Sequence, residues 1–163
     1  MKPSIYPILS DQPGSLFIMP KPSGEWLEED IAYFHSKGAS TIISMLQPVE
    51  IDELSLQNED VFCAENRLDF INFPIQDRGL PDREKFKELI GAVTKRLRNN
   101  EGVAIHCRAG IGRSGMLACG ALAEFIGSAK EAIEVFSRAR GVEVPDTEEQ
   151  RQFIIEIVKE LQD

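Results

Sequence analysis

The chain has 163 residues, of which 42% are hydrophobic and 28% charged, and its formal net charge is −9. This length and composition are typical of one globular domain, which we expect to span residues 1–163. The acidic balance argues against nucleic-acid binding, which needs clustered positive charge. No apolar run approaches the length of a membrane span, and the N-terminus lacks a basic stretch followed by an apolar one. We therefore expect a cytoplasmic protein that does not bind membranes.

The first predicted elements are a strand at 15–19 and a helix at 25–37. Leu27, Ile31 and Phe34 share one face of that helix. Further on, β-branched and apolar runs predict strands at 41–46 and 69–75, with one or two short helices at 50–65 between them. The next helix begins near Pro81, which suits the first turn, with Asp82 and Glu84 just inside it.

The last part of the chain contains a short apolar strand at 103–106 and three predicted helices. These helices cover 113–126, 128–140 with Ser128 as the cap, and about 147–161. Short strands that alternate with amphipathic helices predict an α/β domain, with a central, mostly parallel sheet flanked by helices.

Three cysteines, Cys63, Cys107 and Cys119, and two histidines occur in the chain. An odd number of cysteines is a poor basis for a disulfide framework, and their spacings do not resemble a zinc site. We expect free thiols in a reducing compartment and neither a metal nor a cofactor. Cys63 is a possible redox partner of Cys107 only if the two are adjacent in space.

The segment His-Cys-Arg-Ala-Gly-Ile-Gly-Arg-Ser-Gly at 106–115 lies between a predicted strand and a predicted helix. The first amides of a helix have no internal partner, and the helix dipole adds positive potential, so this junction can bind an anion. Glycines let the turn curl until its N–H groups converge, and arginine adds a planar fork for two phosphate oxygens. The expected phosphate-binding residues are Arg108, Ala109, Gly110, Ile111, Gly112 and Arg113.

Cys107 lies at the start of this turn. The field that binds phosphate also favours thiolate over thiol, which would make Cys107 a nucleophile aimed at phosphorus. Ser114 could donate a hydrogen bond to the thiolate or help the sulfur to leave. We expect His106 to orient the turn by hydrogen bonding rather than to act as a base. A structural glycine turn with a buried cysteine is the alternative interpretation.

Cys-x5-Arg alone is a weak signal, but the added His106, Gly110, Gly112 and Ser114 make coincidence improbable. The segment resembles the signature loop of the protein tyrosine phosphatase superfamily. The chain's size and the late position of the loop resemble the compact dual-specificity branch, which includes cell-cycle phosphatases. The resemblance implies a cysteine-dependent, metal-independent phosphatase with a phosphocysteine intermediate.

Asp77 is the best candidate for a general acid that protonates the leaving oxygen. It lies 30 residues before Cys107, just beyond a predicted strand, in Ile75-Gln76-Asp77. The resemblance implies a mobile acid loop here. Asp77 could instead form only a turn, and Asp82 is a competitor that helix initiation already explains. Arg78 could bind substrate or be a solvated charge.

The segment Pro145-Asp146-Thr147-Glu148-Glu149-Gln150 resembles the family's glutamine loop. This implies that Gln150 places the water that hydrolyses the phosphocysteine. However, Thr147 and Gln150 also form a capping-box pattern, which explains both residues by helix initiation alone. Arg138 and Arg140, just upstream, are predicted to be a helix C-terminal pair that answers the dipole.

The predicted substrates are phosphotyrosine and phosphoserine or phosphothreonine in proteins, and we expect a monomer. Relatives that act on lipids tend to carry lysines in the loop, whereas this loop has Ile111 at its centre. The alternatives are a phosphoinositide or RNA-triphosphate phosphatase, a non-catalytic phosphoprotein-binding module, and a rhodanese-type sulfurtransferase. The last of these leaves Asp77 unexplained.

Overall fold

A computed structural model describes residues 2–8 and 14–163 of the chain. Five strands and seven helices are assigned there, and they follow one another in this order: β1 (Tyr6–Ile8), β2 (Ser15–Met19), α1 (Leu27–Ser36), β3 (Thr41–Ser44), α2 (Pro48–Glu53), α3 (Glu59–Glu65), β4 (Asp69–Asn72), α4 (Arg83–Arg98), β5 (Gly102–His106), α5 (Arg113–Ile126), α6 (Ala129–Arg140) and α7 (Glu148–Gln162).

The strands form one sheet in the order β1-β2-β5-β3-β4. β5 is parallel to both of its neighbours, β2 and β3, and β4 is parallel to β3. Only β1 runs antiparallel, against β2. The predicted α/β fold with a mostly parallel sheet is therefore confirmed.

Helices cover both faces of the sheet, because alternate side chains of each strand point to opposite faces. Val103 and Ile105 of β5 pack in a core cluster with α4, α5, α6 and α7. Ala104, between them, packs in a second cluster with α1 and α3. This alternation leaves β5 buried on both faces, as is usual for a central parallel strand.

Two predicted boundaries and one element differ from the structure. The helix predicted from Pro81 begins at Arg83, and Asp82 is its N-cap, whose carboxylate accepts a hydrogen bond from Lys85 N–H at 2.9 Å. Asp82 is thus explained by capping, although not from inside the first turn. β1 was not predicted: a three-residue strand is too short to show a period.

Candidate active site

A cavity of about 220 Å³ lies at the carboxyl end of β5. Its walls come from the three segments that the sequence singled out, although these are far apart along the chain. The lining residues are Asp77, Arg78, Cys107, Arg108, Ala109, Ile111, Gly112, Arg113, Asp146 and Gln150. A pocket where strands of an open α/β sheet end is the usual place for a ligand.

The cysteine loop (residues 107–113) joins β5 to α5. Gly110 adopts φ +74°, and a Cβ there would lie 2.5 Å from the backbone carbonyl of Met19, so no other residue fits without displacement. Cys107, the first residue of the loop, is buried but lines the cavity. Ser114 is fully buried, and its hydroxyl has no hydrogen-bond partner among the described residues.

Arg140, at the end of α6, holds the cysteine loop from outside. Its Nε donates to the carbonyl of Gly110 at 3.2 Å and its second guanidinium nitrogen to that of Ala109 at 2.9 Å. The guanidinium also lies over the ring of Tyr6, 4.2 Å from the centroid. In a trans peptide the N–H points opposite to the carbonyl, so the N–H groups of Gly110 and Ile111 point away from Arg140. The predicted role of Arg140 as a dipole partner alone was therefore incomplete.

Arg113 is 2% exposed and is held by Glu50 of α2. Its two terminal nitrogens donate to the two carboxylate oxygens of Glu50 at 2.6 and 3.0 Å, and one of them also donates to the carbonyl of Ile75 at 2.8 Å. Burial alone would raise the pKa of Glu50, but hydrogen bonds from Arg113, the Gln47 amide and Arg108 outweigh it and lower that pKa to about 2. Glu50 is thus a carboxylate that orients Arg113.

Arg108 points to the rim of the cavity and pairs with two carboxylates. Its Nε donates to Glu50 at 3.1 Å, and a terminal nitrogen donates to Glu53 at 2.9 Å. Hydrogen bonds from these acids raise the pKa of Arg108 further. Its charge is therefore largely matched within the protein.

His106 precedes Cys107 and is completely buried. Its Nε2 lies 2.6 Å from a carboxylate oxygen of Glu59 in α3, and its Nδ1 lies 3.3 Å from the Cys107 carbonyl. Glu59 is itself only 2% exposed. This geometry agrees with the prediction that His106 orients the loop, and it adds Glu59 as the residue that holds the ring.

The Asp77 loop (residues 75–80) follows β4 and lies beside the cavity. One Asp77 carboxylate oxygen is 3.4 Å from the guanidinium of Arg113. The next residue, Arg78, adopts φ +62° and forms an ion pair with Asp146 at 2.8 Å. The structure thus brings Asp77 to the arginine of the cysteine loop, as its predicted role requires.

Gln150 is fully buried and takes part in both of the arrangements considered from the sequence. Its backbone N–H donates to the Thr147 hydroxyl at 3.0 Å, and its side-chain oxygen accepts from Thr147 N–H at 3.3 Å, which is a capping box. Its side-chain amide also lines the cavity and donates to the Gly79 carbonyl at 3.2 Å. Helix capping and a place at the cavity are therefore compatible.

The other two cysteines lie outside the cavity. Cys63 packs in the second core cluster, whereas Cys107 packs in the first. Burial, with Glu59 and Asp60 nearby, raises the pKa of Cys63 to about 12, and burial raises the pKa of Cys119 strongly. Both are inert core thiols, and the clusters that separate Cys63 from Cys107 do not favour a redox pair.

Four charged residues of the site were not identified from the sequence: Glu50, Glu59, Arg140 and Asp146. Each lies on an amphipathic helix or in a loop where charges usually face solvent. Their partners lie 30 to 63 residues away for the first three of these side chains. The only local signal is Glu50 three residues after Gln47, as in a capping box, which explains it by helix initiation.

A family model described as "Polymorphic toxin system, DSP-PTPase phosphatase" matches residues 19–124, which is more than half of the chain. The chain belongs to the dual-specificity branch of the protein tyrosine phosphatase superfamily. This confirms the resemblance noted from residues 106–115. The phosphatase is 31% identical over 137 residues to protein tyrosine phosphatase domain-containing protein 1 of Mus musculus, an alignment that covers 77% of this chain and 18% of that protein. The chain spans about a fifth of the length of the curated relatives it matches.

Solved structures show the same fold at low sequence identity. The phosphatase superposes on kinase associated phosphatase with a TM-score of 0.88 and 21% identity, covering 99% of this chain and 97% of that one. It superposes on PTPMT1 in complex with PI(5)P with a TM-score of 0.74 and 17% identity, covering 90% and 92%. None of the described helices is long and apolar enough to cross a membrane. Nor do His, Cys, Asp and Glu side chains cluster as a metal site within residues 2–8 and 14–163.

Proposed function

We propose that residues 1–163 form one catalytic domain that hydrolyses phosphomonoesters of phosphotyrosine, phosphoserine and phosphothreonine in cytoplasmic proteins. Cys107 is the nucleophile, Arg113 and the cysteine-loop amides bind the phosphoryl group, and Asp77 is the general acid. The observation that carries the proposal is the convergence on one cavity of Cys107, Arg113 and Asp77 from separate segments. A glycine turn with only a structural role would not need a carboxylate beside its arginine.

The first step transfers the phosphoryl group to sulfur. The Cys107 thiolate attacks phosphorus in line, so the S–P bond forms as the bond from phosphorus to the leaving oxygen breaks. Asp77 gives its proton to that oxygen. Arg113 and the loop amides stabilise the charge on the three equatorial oxygens.

Arg113 has nitrogens available for this task. Both terminal nitrogens bond to Glu50, but its Nε–H has no partner among the described residues, and its contact with Asp77 is long at 3.4 Å. A phosphate that takes the Nε–H and the N–H now facing Asp77 would release Asp77 towards the leaving oxygen. Glu50 would keep the guanidinium in place meanwhile.

The second step returns the cysteine. Asp77, now ionised, takes a proton from water as the water oxygen attacks phosphorus, and the S–P bond breaks to give inorganic phosphate and the thiolate. The buried hydroxyl of Ser114, which has no partner among the described residues, is available to the departing sulfur. The Gln150 amide lines the same cavity and can place the water.

The charges around the cavity favour substrates with a single phosphate. The three arginines of its lining are each paired with carboxylates: Arg78 with Asp146, Arg108 with Glu50 and Glu53, and Arg113 with Glu50 and Asp77. Little cationic charge is left for the extra phosphates of a polyphosphoinositide or a 5′-triphosphate. A phosphoprotein side chain needs only the loop itself, which supports a protein substrate and a protein, rather than membrane or nucleic-acid, partner.

The proposal is tested by hydrolysis of phosphotyrosine and phosphoserine peptides in EDTA, compared with PI(5)P in micelles and RNA 5′-triphosphate. We expect the peptides to be turned over with the highest kcat/KM and Cys107→Ser to abolish turnover. Cys63→Ala, in the other core cluster, is the matched control and should retain activity.

Other outcomes of that test identify the alternatives. A higher kcat/KM on the lipid would assign a phosphoinositide phosphatase, a possibility raised by the fold shared with PTPMT1 bound to PI(5)P. Peptide binding without turnover by the wild type would assign a phosphoprotein-binding module. Either result would overturn the protein-phosphatase assignment.

A further inference from the structure

An ion pair spans the cavity between two segments that are 68 residues apart. Arg78, in the Asp77 loop, donates to a carboxylate oxygen of Asp146 at 2.8 Å. Both residues line the cavity, and their side chains are 64% and 41% exposed. The pair is thus at the mouth of the cavity, where it contacts solvent.

The end of the Asp77 loop has few other attachments. The Asp77 side chain is 62% exposed and makes one long contact, with Arg113 at 3.4 Å. The Gly79 carbonyl accepts from Gln150 at 3.2 Å, and the Gly79 N–H closes a local turn onto Gln76 at 2.8 Å. Packing does not hold the Asp77 carboxylate, so its position depends on these polar contacts.

The other side of the ion pair is firmly placed. A Cβ on Gly112 would lie 3.0 Å from the Asp146 Cβ and 3.0 Å from the side-chain oxygen of Gln150, so this segment packs directly on the cysteine loop. The capping box between Thr147 and Gln150 fixes the start of α7 just after Asp146. Asp146 therefore presents a carboxylate at a constant place relative to Cys107 and Arg113.

We propose that the Arg78–Asp146 ion pair is a latch that holds the Asp77 loop over the cavity, and that both residues are positioning residues for Asp77. The effect on chemistry rests on the proposed function of Asp77. An exposed pair of this kind is weak, so it biases the loop towards the closed position and still lets it open for substrate and product.

The first test measures kcat and KM for phenyl phosphate, a poor leaving group, and for p-nitrophenyl phosphate, a good one. Asp146→Asn and Arg78→Gln should each lower kcat on phenyl phosphate by about three- to fivefold and change it less on p-nitrophenyl phosphate. The double variant Arg78→Asp with Asp146→Arg, which reverses the pair, should recover most of the loss. Glu143→Gln, an exposed carboxylate nearby, is the control and should change neither value.

The second test does not depend on catalysis. Amide hydrogen exchange of residues 75–80 is followed in the full chain, with and without orthovanadate. We expect faster exchange in Asp146→Asn than in wild type, and slow exchange again in the charge-reversed double variant. Unchanged exchange in Asp146→Asn, or equal kcat losses on both esters, would overturn the latch. If wild type hydrolyses no ester but exchange responds as expected, the proposed function fails and the latch stands.

Discussion

Both carboxylate oxygens of Glu50 contact the guanidinium of Arg113, at 2.6 and 3.0 Å, although the two residues are 63 positions apart. The pair is buried, so each charge depends on the other. Glu50→Gln should lower the free energy of unfolding by about 3 kcal/mol, measured by urea denaturation. It should also lower kcat/KM by about 10- to 100-fold, because Arg113 loses its fixed direction. Asp52→Asn, exposed on the same helix, should change neither; equal effects of the two variants would contradict the role of Glu50.

The same pair predicts a pH dependence of stability. The pKa of Glu50 is lowered from 4.5 to about 2, so its ionised form favours the folded state at all pH values above 4.5. That contribution is lost as the pH falls through this window. The difference in Tm between wild type and Glu50→Gln should therefore be largest near neutral pH and should shrink below pH 4.5. A difference that stays constant on acidification would show that the charge of Glu50 is not the cause.

Glu59 should matter for the loop although it is not in the cavity. In Glu59→Ala the His106 ring would lose its 2.6 Å partner in a buried site, which should cost about 1–3 kcal/mol of folding free energy. Glu59→Gln keeps an acceptor and should lose less. Activity and urea denaturation are measured together, with the exposed Asp60→Ala as control. If Glu59→Ala is as stable and active as Asp60→Ala, the contact with His106 does not orient the loop.

Arg140 and Arg138 provide a matched pair on the last turn of α6. Arg140 donates to two carbonyls of the cysteine loop, whereas the Arg138 side chain is 80% exposed and reaches only Glu134, at 4.0 Å. Arg140→Leu should weaken inhibition by orthovanadate and lower kcat/KM by about tenfold or more, since the loop amides lose their orientation. Arg138→Leu should change both by less than about twofold. Similar values for the two variants would mean that the loop holds its shape without Arg140.

Asp77 and Asp82 are the two acids that the sequence offered for protonation of the leaving group. Asp77→Asn should reduce kcat on phenyl phosphate by about 100-fold or more and much less on p-nitrophenyl phosphate. Asp82→Asn keeps an N-cap for α4, because asparagine caps as well as aspartate, and should leave kcat unchanged on both esters. The opposite pattern would move the acid to Asp82.

Local signals in the sequence were sufficient for the elements that carry the site. The bounds of α5, Arg113–Ile126, agree with the prediction residue for residue, because the glycine turn before it and Gly127 after it mark both ends. The Ser128 cap of α6 is also as predicted, with its hydroxyl accepting from Glu131 N–H at 3.3 Å. These features depend on neighbours within one helical turn, which a single sequence displays.

The residues that surround Cys107 and Arg113 could not be found in this way. Glu50 and Glu59 lie on short helices where acids are ordinary, and only the sheet order brings those helices to the end of β5. Asp77 was identified because it follows a strand that ends at the same edge as β5. Carboxylates on helices give no such indication, because their side chains can point to solvent or to the site without any change in the hydrophobic pattern.

The strand order has a mechanical consequence for the two loops. β5, which leads into Cys107, is hydrogen-bonded on both sides, to β2 and β3, whereas β4, which leads into Asp77, is at an edge of the sheet and bonds to β3 alone. The nucleophile is thus mounted where displacement would break two ladders, and the acid where it would strain only one. Exchange of the β5 amides should require global unfolding, while local opening at β4 suffices for the Asp77 side. One sheet in this way gives the two reacting groups different freedom of movement, as an acid that must approach and withdraw around a stationary sulfur requires.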